Sequence, residues 1–384
     1  MTVPLGVLDL VPITTGSNAC EALRNTIDLA RRTEELGYAR YWFAEHHLNP
    51  GIAGTSPALV IGLVAPHTSR IRLGSGGVQL GHRTALSVVE EFGLLDALHP
   101  GRLDLGLGRS GGRGFHGDRL RQAAAERERV GVGGQGDGAV PRASNGLPLP
   151  RWVRPEKLLR SPRVALNAEL LQQPNAETPD YGQHVREILA LLQGAYRSSA
   201  GIDPHPVPGT GADVRVWVLG SSGGQSATVA GELGLPFAAS YHVSPGTVLD
   251  ATEGYRAAFR PSAWLDRPYV LVSADAVVGC DDEAARELAA GYGLWVRSIR
   301  TGEGAIEFPT AAEAARHAWT DEERALVGDR VQTQFVGSPA TVADHLEQLR
   351  DATGADELMV TTITHDHADR VRSYELLAEE WSRR

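Results

Sequence analysis

Cysteine is scarce in this chain of 384 residues, which contains only Cys20 and Cys280. Two cysteines cannot build a disulfide framework or a thiolate metal cluster within one chain. Positive charge is also in deficit, because 37 lysines and arginines face 47 acidic residues and the formal net charge is −10. This balance removes the usual electrostatic reason to expect nucleic acid or an anionic membrane as a partner.

Long apolar runs are absent as well. No stretch approaches the ~20 apolar residues that a transmembrane helix needs. The amino terminus has no basic segment, and Pro4, Asp9 and Pro12 interrupt its apolar stretch, unlike the core of a signal peptide. We therefore expect a cytoplasmic protein with no membrane partner.

The residues that are present suit one large α/β domain spanning 1–384, with 42% hydrophobic and 22% charged side chains. Short runs rich in valine and leucine alternate with longer segments of helical period, which is typical of repeated βα units. Eight runs are nearly continuously hydrophobic, as parallel strands buried on both faces should be. The predicted strands are Val3–Leu10, Ala39–Ala44, Ile71–Val78, Leu103–Gly108, Val214–Gly220, Pro236–Tyr241, Tyr269–Val278 and Glu357–Ile363.

Helices are predicted between these strands. Asn18 and Glu21 have the spacing of a capping box, and Gly37 is placed to end the helix that follows them. Eight strands, each followed by a helix, favour a (β/α)8 TIM barrel over an open doubly wound sheet. The other predicted helices are Pro57–His67, Ala85–Leu98, Tyr181–Leu192, Gln225–Leu233, Glu283–Ser298, Ala340–Asp351 and Ala368–Glu380.

Residues 110–180 interrupt this alternation. The segment is rich in Gly, Pro and Arg, which predicts a long insertion after strand four and not a core element. In a barrel it would leave the carboxyl end of that strand, where active sites lie, so it could form a lid or a wall of the substrate pocket. A disordered surface loop is the alternative.

The second predicted strand runs directly into Glu45, His46 and His47. An imidazole titrates near neutral pH, and a neighbouring carboxylate could fix its tautomer, so these residues are candidates for proton transfer. Zinc is the competing interpretation, with His46 and His47 joined by His242, His365 or His367. Consecutive histidines on an extended segment point in different directions, and so we predict no metal site.

A second candidate site is the loop after strand five, Gly220-Ser221-Ser222-Gly223-Gly224-Gln225-Ser226. Small residues let the backbone approach a ligand, and the N–H groups at a helix start bind anions. Arg109, at the end of strand four, could add positive charge. The loop therefore predicts a phosphate site, although a tight βα turn would use the same residue types.

Glycines interrupt the third predicted strand at Gly74, Gly76 and Gly77. Glycine weakens a strand, so the run suggests a bulge or close approach of a ligand such as a flat ring system. Trp42, Tyr241 and Trp295 are candidates for an aromatic substrate pocket, although aromatic residues are equally common in packing.

Three runs together resemble the bacterial luciferase-like, flavin-dependent monooxygenase family. The longest, Tyr41–Ser110, contains AEHHLNPGIAGTSPA, RLGSGGVQLGHR and LHPGRLDLGLGRS. The others are LGSSGGQSATVAGELGLPFAASYHVSP from Leu219, and FVGSPATVADHLEQLRDATGADELMVTTI from Phe335. The resemblance covers most of the chain outside 110–180.

The resemblance implies a luciferase-like barrel, usually a homodimer, that holds a flavin near strand three and its phosphate after strand five. It marks His46 as the catalytic histidine, with Glu45 and His242 in the same site. It marks Arg109 and Ser221–Ser226 as phosphate ligands and Gly76–Gly77 as a non-proline cis peptide. Gly108 stands where true luciferases have a reactive cysteine, which argues against light emission and a fatty aldehyde substrate.

The implied reaction is oxygenation of a small organic substrate, such as a secondary metabolite, by reduced FMN and O2 through a C4a-peroxyflavin. An F420-dependent dehydrogenase on the same barrel and a non-catalytic flavin-binding protein are the alternatives. A second nucleotide-binding unit for NAD(P)H is not obvious in the sequence. We therefore expect a two-component system in which a separate NAD(P)H:flavin reductase supplies the reduced flavin.

Overall fold

A computed structural model of the chain describes residues 2–109, 140–151, 158 and 161–384. Eight parallel strands close into a barrel in the order β1-β2-β3-β5-β6-β7-β8-β10, and β10 pairs with β1 to complete the ring. The predicted (β/α)8 TIM barrel is therefore confirmed. The strands are β1 (Leu5–Asp9), β2 (Arg40–Phe43), β3 (Arg72–Ser75), β4 (Val78–Gln79), β5 (Leu103–Gly108), β6 (Val214–Gly220), β7 (Phe237–Ser240), β8 (Val270–Val278), β9 (Phe335–Gly337) and β10 (Glu357–Thr361).

All eight predicted strands form, each somewhat shorter than predicted or of the same length. Every residue of β1, β8 and β10 is buried, which explains why their sequences are hydrophobic throughout instead of alternating. The two short strands lie outside the ring, with β4 paired to β5 and β9 paired to the end of β8.

Helices cover the outside of the barrel. Half of the predicted capping box is present, because the Asn18 side chain accepts hydrogen bonds from the N–H groups of Cys20 and Glu21, whereas the Glu21 carboxylate accepts from the Ser17 hydroxyl. The α-helices are α1 (Ala19–Glu35), α2 (Pro57–Val64), α3 (Ala85–Leu98), α4 (Pro162–Leu171), α5 (Tyr181–Leu192), α6 (Gln225–Glu232), α7 (Val248–Ala258), α8 (Asp282–Leu288), α9 (Tyr292–Thr301), α10 (Ala311–Ala315), α11 (Asp321–Thr333), α12 (Pro339–Thr353) and α13 (His367–Trp381). Short 3-10 turns span Ala65–His67, Leu80–His82 and Pro245–Thr247.

The helix prediction was wrong in two ways, by joining two separate helices and by missing others. The predicted helix Glu283–Ser298 is interrupted between α8 and α9, near Gly291, where a Cβ would lie 2.7 Å from the Pro309 carbonyl oxygen. Helix α7 was missed because it follows a 3-10 turn, its first residue is preceded by Thr247 without a side-chain cap, and it contains Gly254. Helices α4, α10 and α11 were also missed.

Residues 110–139, 152–157 and 159–160 of the predicted insertion lie outside the described residues. The described parts pack on the barrel. Leu147 is fully buried in the core, and the Gln172 side-chain amide donates to the Gly81 carbonyl oxygen at 2.8 Å. Helix α4 contributes a further contact, from the Arg163 guanidinium to the Leu48 carbonyl oxygen.

An ion network closes the amino-terminal end of the barrel. The guanidinium of Arg40, on β2, pairs with Asp104 of β5 at 2.5 Å and with Glu357 of β10 at 2.6 Å. Trp217 stacks on the same guanidinium, 4.8 Å from its ring centroid. These side chains fill the barrel interior on the amino-terminal side.

Among the described helices, none has the length and apolar character needed to cross a bilayer.

Candidate active site

A cavity of about 410 Å³ opens at the carboxyl ends of the barrel strands. Its floor is Trp42, whose indole N–H donates to the Asp104 carboxylate at 3.0 Å and whose ring packs edge-on against Trp217 at 5.2 Å. The residues singled out from the sequence that line this cavity are Trp42, Glu45, His46, Gly76, Gly77, Arg109, Gly220, Ser221, Ser222, Gln225, Ser226, His242 and Trp295. Residues from six separate segments of the sequence therefore meet at one site.

Glu45 is buried and has a full set of partners. One carboxylate oxygen contacts the Nε2 atoms of His47 and His82 at 3.0 and 3.1 Å, and the other accepts from the Gln79 backbone N–H at 2.9 Å. These hydrogen bonds, with Arg83 at 3.6 Å, lower the pKa of Glu45 to about 2 despite the opposing effect of burial. Glu45 thus orients His47 and His82, and its side chain is not bonded to His46.

His46 faces the cavity from the segment that follows β2. Its backbone N–H donates to the Gly54 carbonyl oxygen at 2.9 Å, which fixes the main chain. Its side-chain Nδ1 is buried and has no hydrogen-bond partner among the described residues. Burial and the neighbouring His47 lower the pKa of His46 to about 4, so the imidazole is neutral at pH 7 and can accept a proton from a ligand.

His242 follows β7, on the opposite side of the barrel from β2. Its Nδ1 lies 2.8 Å from the Ser273 hydroxyl. Burial lowers its pKa to about 4, and Arg330 and His46 act in the same direction while Asp275 opposes them. Two neutral histidines therefore border the same cavity.

The zinc ligand set considered from the sequence is not assembled. His365 contacts the Thr15 carbonyl oxygen, and His367 contacts Asp28, so both are engaged away from the cavity. Glu45, His47 and His82 do bring three potential ligand atoms within 4.8 Å of one another. Their atoms already bond to each other, and the cation Arg83 sits on the same carboxylate oxygen.

The Gly76–Gly77 peptide is cis, in agreement with the expectation from the resemblance, and both residues line the cavity. The reason for glycine here differs from the one expected. A Cβ on Gly76 would lie 2.6 Å from a Leu8 methyl group, and one on Gly77 would lie 2.7 Å from the Gly106 carbonyl oxygen. The backbone of β5 therefore excludes a side chain at Gly77, and a side chain at Gly76 would displace the Leu8 methyl group, whether or not a ligand is bound.

The loop after β6 leads into helix α6 beside Arg109. The first hydrogen bond of helix α6 runs from the Thr228 N–H to the Gly224 carbonyl oxygen. The N–H groups that precede Thr228 at the helix start are therefore available to bind an anion. Arg109 reaches the same place, where its guanidinium contacts the Gln225 side chain at 3.3 Å. Gly224 caps the helix, and Gly223 packs against the Asp250 carbonyl oxygen, which a Cβ would approach to 2.6 Å.

Tyr241 does not line the cavity, contrary to expectation. Ser240, the last residue of β7, and His242 line the cavity, whereas Tyr241 between them points outward. There its hydroxyl donates to the Pro148 carbonyl oxygen at 2.8 Å and its ring packs against Phe335.

Several lining residues were not singled out from the sequence. Alternation along the continuous runs of β1, β8 and β10 could have indicated Leu8, Leu271, Ser273 and Met359. Arg330 carried no such signal, because it belongs to helix α11, which was not predicted.

The sequence matches the family model for luciferase-like monooxygenases over residues 3–130 and 169–357. The Bacillus subtilis protein YvbT is 36% identical over 383 residues, covering 99% of this chain and 97% of YvbT. A luciferase-like monooxygenase of Escherichia coli K12 is 35% identical over 375 residues, covering 98% of this chain and 96% of the relative.

Solved structures share the fold. Apo-MsnO8 superposes with a TM-score of 0.73 at 29% identity, covering 99% of this chain and 98% of MsnO8. At 19% identity, the FMN complex of the oxygenating constituent of 3,6-diketocamphane monooxygenase from Pseudomonas putida has a TM-score of 0.63, with 100% and 99% coverage. The F420-dependent tetrahydromethanopterin reductase of Methanopyrus kandleri, also 19% identical, has a TM-score of 0.57, with 99% and 98% coverage.

Proposed function

The chain belongs to the luciferase-like monooxygenase family, and we propose that it is a two-component monooxygenase that uses reduced FMN and O2 to oxygenate a small organic substrate. The observation that carries this proposal is that one cavity has two chemically different ends. Arg109 and the start of helix α6 form an anion-binding end, and His46 supplies a buried, neutral imidazole.

The residues present fit a flavin mononucleotide. A phosphate suits the serine hydroxyls, the N–H groups at the start of α6 and the Arg109 guanidinium. The Nδ1 atom of His46 is a buried polar atom without a partner among the described residues, and the His46 side chain lines the cavity in which a ligand would sit. Such a group costs free energy unless a ligand or a water molecule satisfies it.

Bound flavin would supply the redox chemistry and the reaction with oxygen. The chain's own residues would exclude water, orient the substrate and manage protons. Trp42 and Trp295 give apolar surface to the cavity, and His46, which is neutral at pH 7, would accept or return a proton through its imidazole. His242 borders the same space, held by Ser273.

An anaerobic titration of the purified chain with FMNH2, and separately with reduced F420, tests the cofactor. We expect saturable binding of FMNH2, and admission of O2 should then give a transient absorbing species distinct from oxidised FMN. Tight binding of reduced F420 with oxygen-insensitive hydride transfer would select the dehydrogenase alternative. Binding of flavin without turnover of any substrate would leave a flavin-binding protein.

We expect a separate reductase to supply the reduced flavin. The run Gly106–Gly111 has the G-x-G-x-x-G spacing of a dinucleotide-binding turn, but Gly106 and Gly108 lie within barrel strand β5. A Cβ on Gly106 would lie 2.1 Å from the Ser75 carbonyl oxygen, so strand packing accounts for that glycine. Sustained oxygenation with NAD(P)H and FMN but no added reductase would contradict the two-component proposal.

A homodimer is also proposed, through helices α2 and α3. The sequence of α2, PALVIGLV, is apolar on every face, which is typical of a helix covered on all sides. Large side chains on the two helices are nevertheless exposed in the single chain: Leu59, Leu63, Leu86, Leu94 and Leu98. A second copy of the chain would cover this patch.

A further inference from the structure

Arg330 is a buried cation in the wall of the cavity. It comes from helix α11, which belongs to the segment inserted between β8 and β10, and its side chain is 10% exposed. In the order of strands around the barrel, β8 lies opposite β3, which carries the Gly76–Gly77 segment. Arg330 comes from a different segment of the chain than Arg109 and the loop after β6, and the proposed phosphate site does not use it.

The hydrogen bonds of Arg330 engage only part of its guanidinium. Nε donates to the Tyr292 hydroxyl at 3.1 Å, and Nη2 donates to the Asp275 carboxylate at 3.0 Å. Tyr292 in turn donates to the same Asp275 oxygen. Among the described residues, no hydrogen bond involves Nη1. A guanidinium has five N–H donors, so Nη1 and one N–H of Nη2 are left on the side of the group that a cavity ligand can reach.

Arg300, on helix α9, is an example of an arginine that forms a purely structural ion pair in this fold. Its two terminal nitrogens both bond to Asp329, one to each carboxylate oxygen, and it also donates to the Leu326 carbonyl oxygen. Arg300 does not line the cavity. Arg330 instead holds Asp275 by a single bond and is anchored from one side, so its outer edge faces the open space.

Resting on the proposed function, we propose that Arg330 binds a carboxylate of the substrate, so that the enzyme acts on small organic acids with an apolar body. A carboxylate matches the planar fork formed by Nη1 and Nη2. The lining of the same cavity includes apolar side chains, among them Trp295, Ile299 and Ile52. The Asp275–Tyr292 contacts hold the guanidinium in place, which reduces the entropy lost when a ligand binds.

Matched pairs of acid and amide test this directly. Isothermal titration of the purified full-length protein, with FMN present, would compare 4-phenylbutyrate with 4-phenylbutanamide, and benzoate with benzamide. We expect at least one acid of these pairs to bind about tenfold or more tightly than its amide, because the amide cannot accept a charge-assisted pair of hydrogen bonds. Equal or weaker binding of both acids would overturn the proposal.

Variants assign the preference to Arg330. Arg330→Met should remove the preference for the acid, and Arg330→Lys should reduce it severalfold because an ammonium lacks the fork. Arg300→Lys, a buried arginine outside the cavity, should keep the wild-type ratio. A ratio unchanged in Arg330→Met contradicts the assignment, and if that variant does not fold, an unchanged ratio in Arg330→Lys does so.

Binding of FMN, followed by its fluorescence in the same samples, separates the two proposals. If the wild-type protein binds FMN but shows no preference for the acid, only the proposed role of Arg330 is contradicted. Failure of wild-type protein to bind FMN contradicts the proposed function, whatever the ratio of acid to amide.

Discussion

The adjacent histidines His46 and His47 should respond to mutation in opposite ways. His46 faces the cavity and makes no side-chain hydrogen bond to a described residue at Nδ1, whereas His47 bonds to the buried carboxylate of Glu45 at 3.0 Å. Replacing each with alanine removes the same chemical group at neighbouring positions. The two variants therefore act as matched controls for each other.

For His46→Ala, the expected loss is in rate. Removing a general acid or base costs ~10² to 10⁴ in turnover, which corresponds to about 3 to 5 kcal/mol of activation free energy. The free energy of unfolding should fall by only about 1 kcal/mol, since no buried partner is left unsatisfied by the change. Flavin affinity should change little, because the anion-binding end of the cavity is untouched.

For His47→Ala, the expected loss is in stability. Glu45 would lose one of its hydrogen bonds, and a bond to a charged group contributes about 1.5 to 3 kcal/mol. His82 and Arg83 stay in place to hold the carboxylate, so turnover should fall less than about tenfold. Urea unfolding gives the stability of each variant, and product formation with excess reductase gives the rate.

The pH dependence supplies a second criterion. With a pKa of about 4, His46 stays neutral from about pH 5 upward, so its contribution to turnover should be level between pH 5.5 and 8. Near-normal turnover of His46→Ala, or a larger loss of stability than in His47→Ala, would refute the assignment. An inflection near pH 6.5 in the wild type that is absent from His46→Ala would refute the lowered pKa.

Three further predictions concern stability and assembly. The pKa of Glu45 is lowered from 4.5 to about 2, so the stability that its carboxylate contributes is complete above pH 4.5 and is lost as the pH falls through 2. The urea midpoint of the wild type should therefore fall over this pH range by more than that of Glu45→Gln, which lacks the titrating group. Glu357→Gln should lower the free energy of unfolding by about 3 to 5 kcal/mol, because it leaves the buried Arg40 charge short of a partner, and a loss below 1 kcal/mol in urea unfolding would contradict this. Leu98→Glu, at a side chain that is 79% exposed in the single chain, should turn a dimer into a folded monomer in analytical ultracentrifugation, and an unchanged dimer would place the interface elsewhere.

The sequence by itself determined the barrel. Continuous hydrophobic runs identify parallel strands buried on both faces, and all eight were found, including β8 and β10. The position of a residue after a strand was enough to place His46, Arg109 and the loop from Gly220 at the same end of the barrel. This holds because the carboxyl ends of parallel barrel strands all meet at one face.

The tertiary structure decided where individual side chains point and which of them are already engaged. Tyr241 and His242 are neighbours just after the end of β7, yet only His242 lines the cavity, and the run of residues does not say which of the two side chains points inward. From the sequence, Glu45 was a candidate partner for His46. In the structure its carboxylate instead bonds to His82, which is distant in the sequence. Only the structure identifies Arg330 as a lining residue of the cavity. Its position depends on the long-range packing of helix α11 on the barrel, which leaves no local pattern in the sequence.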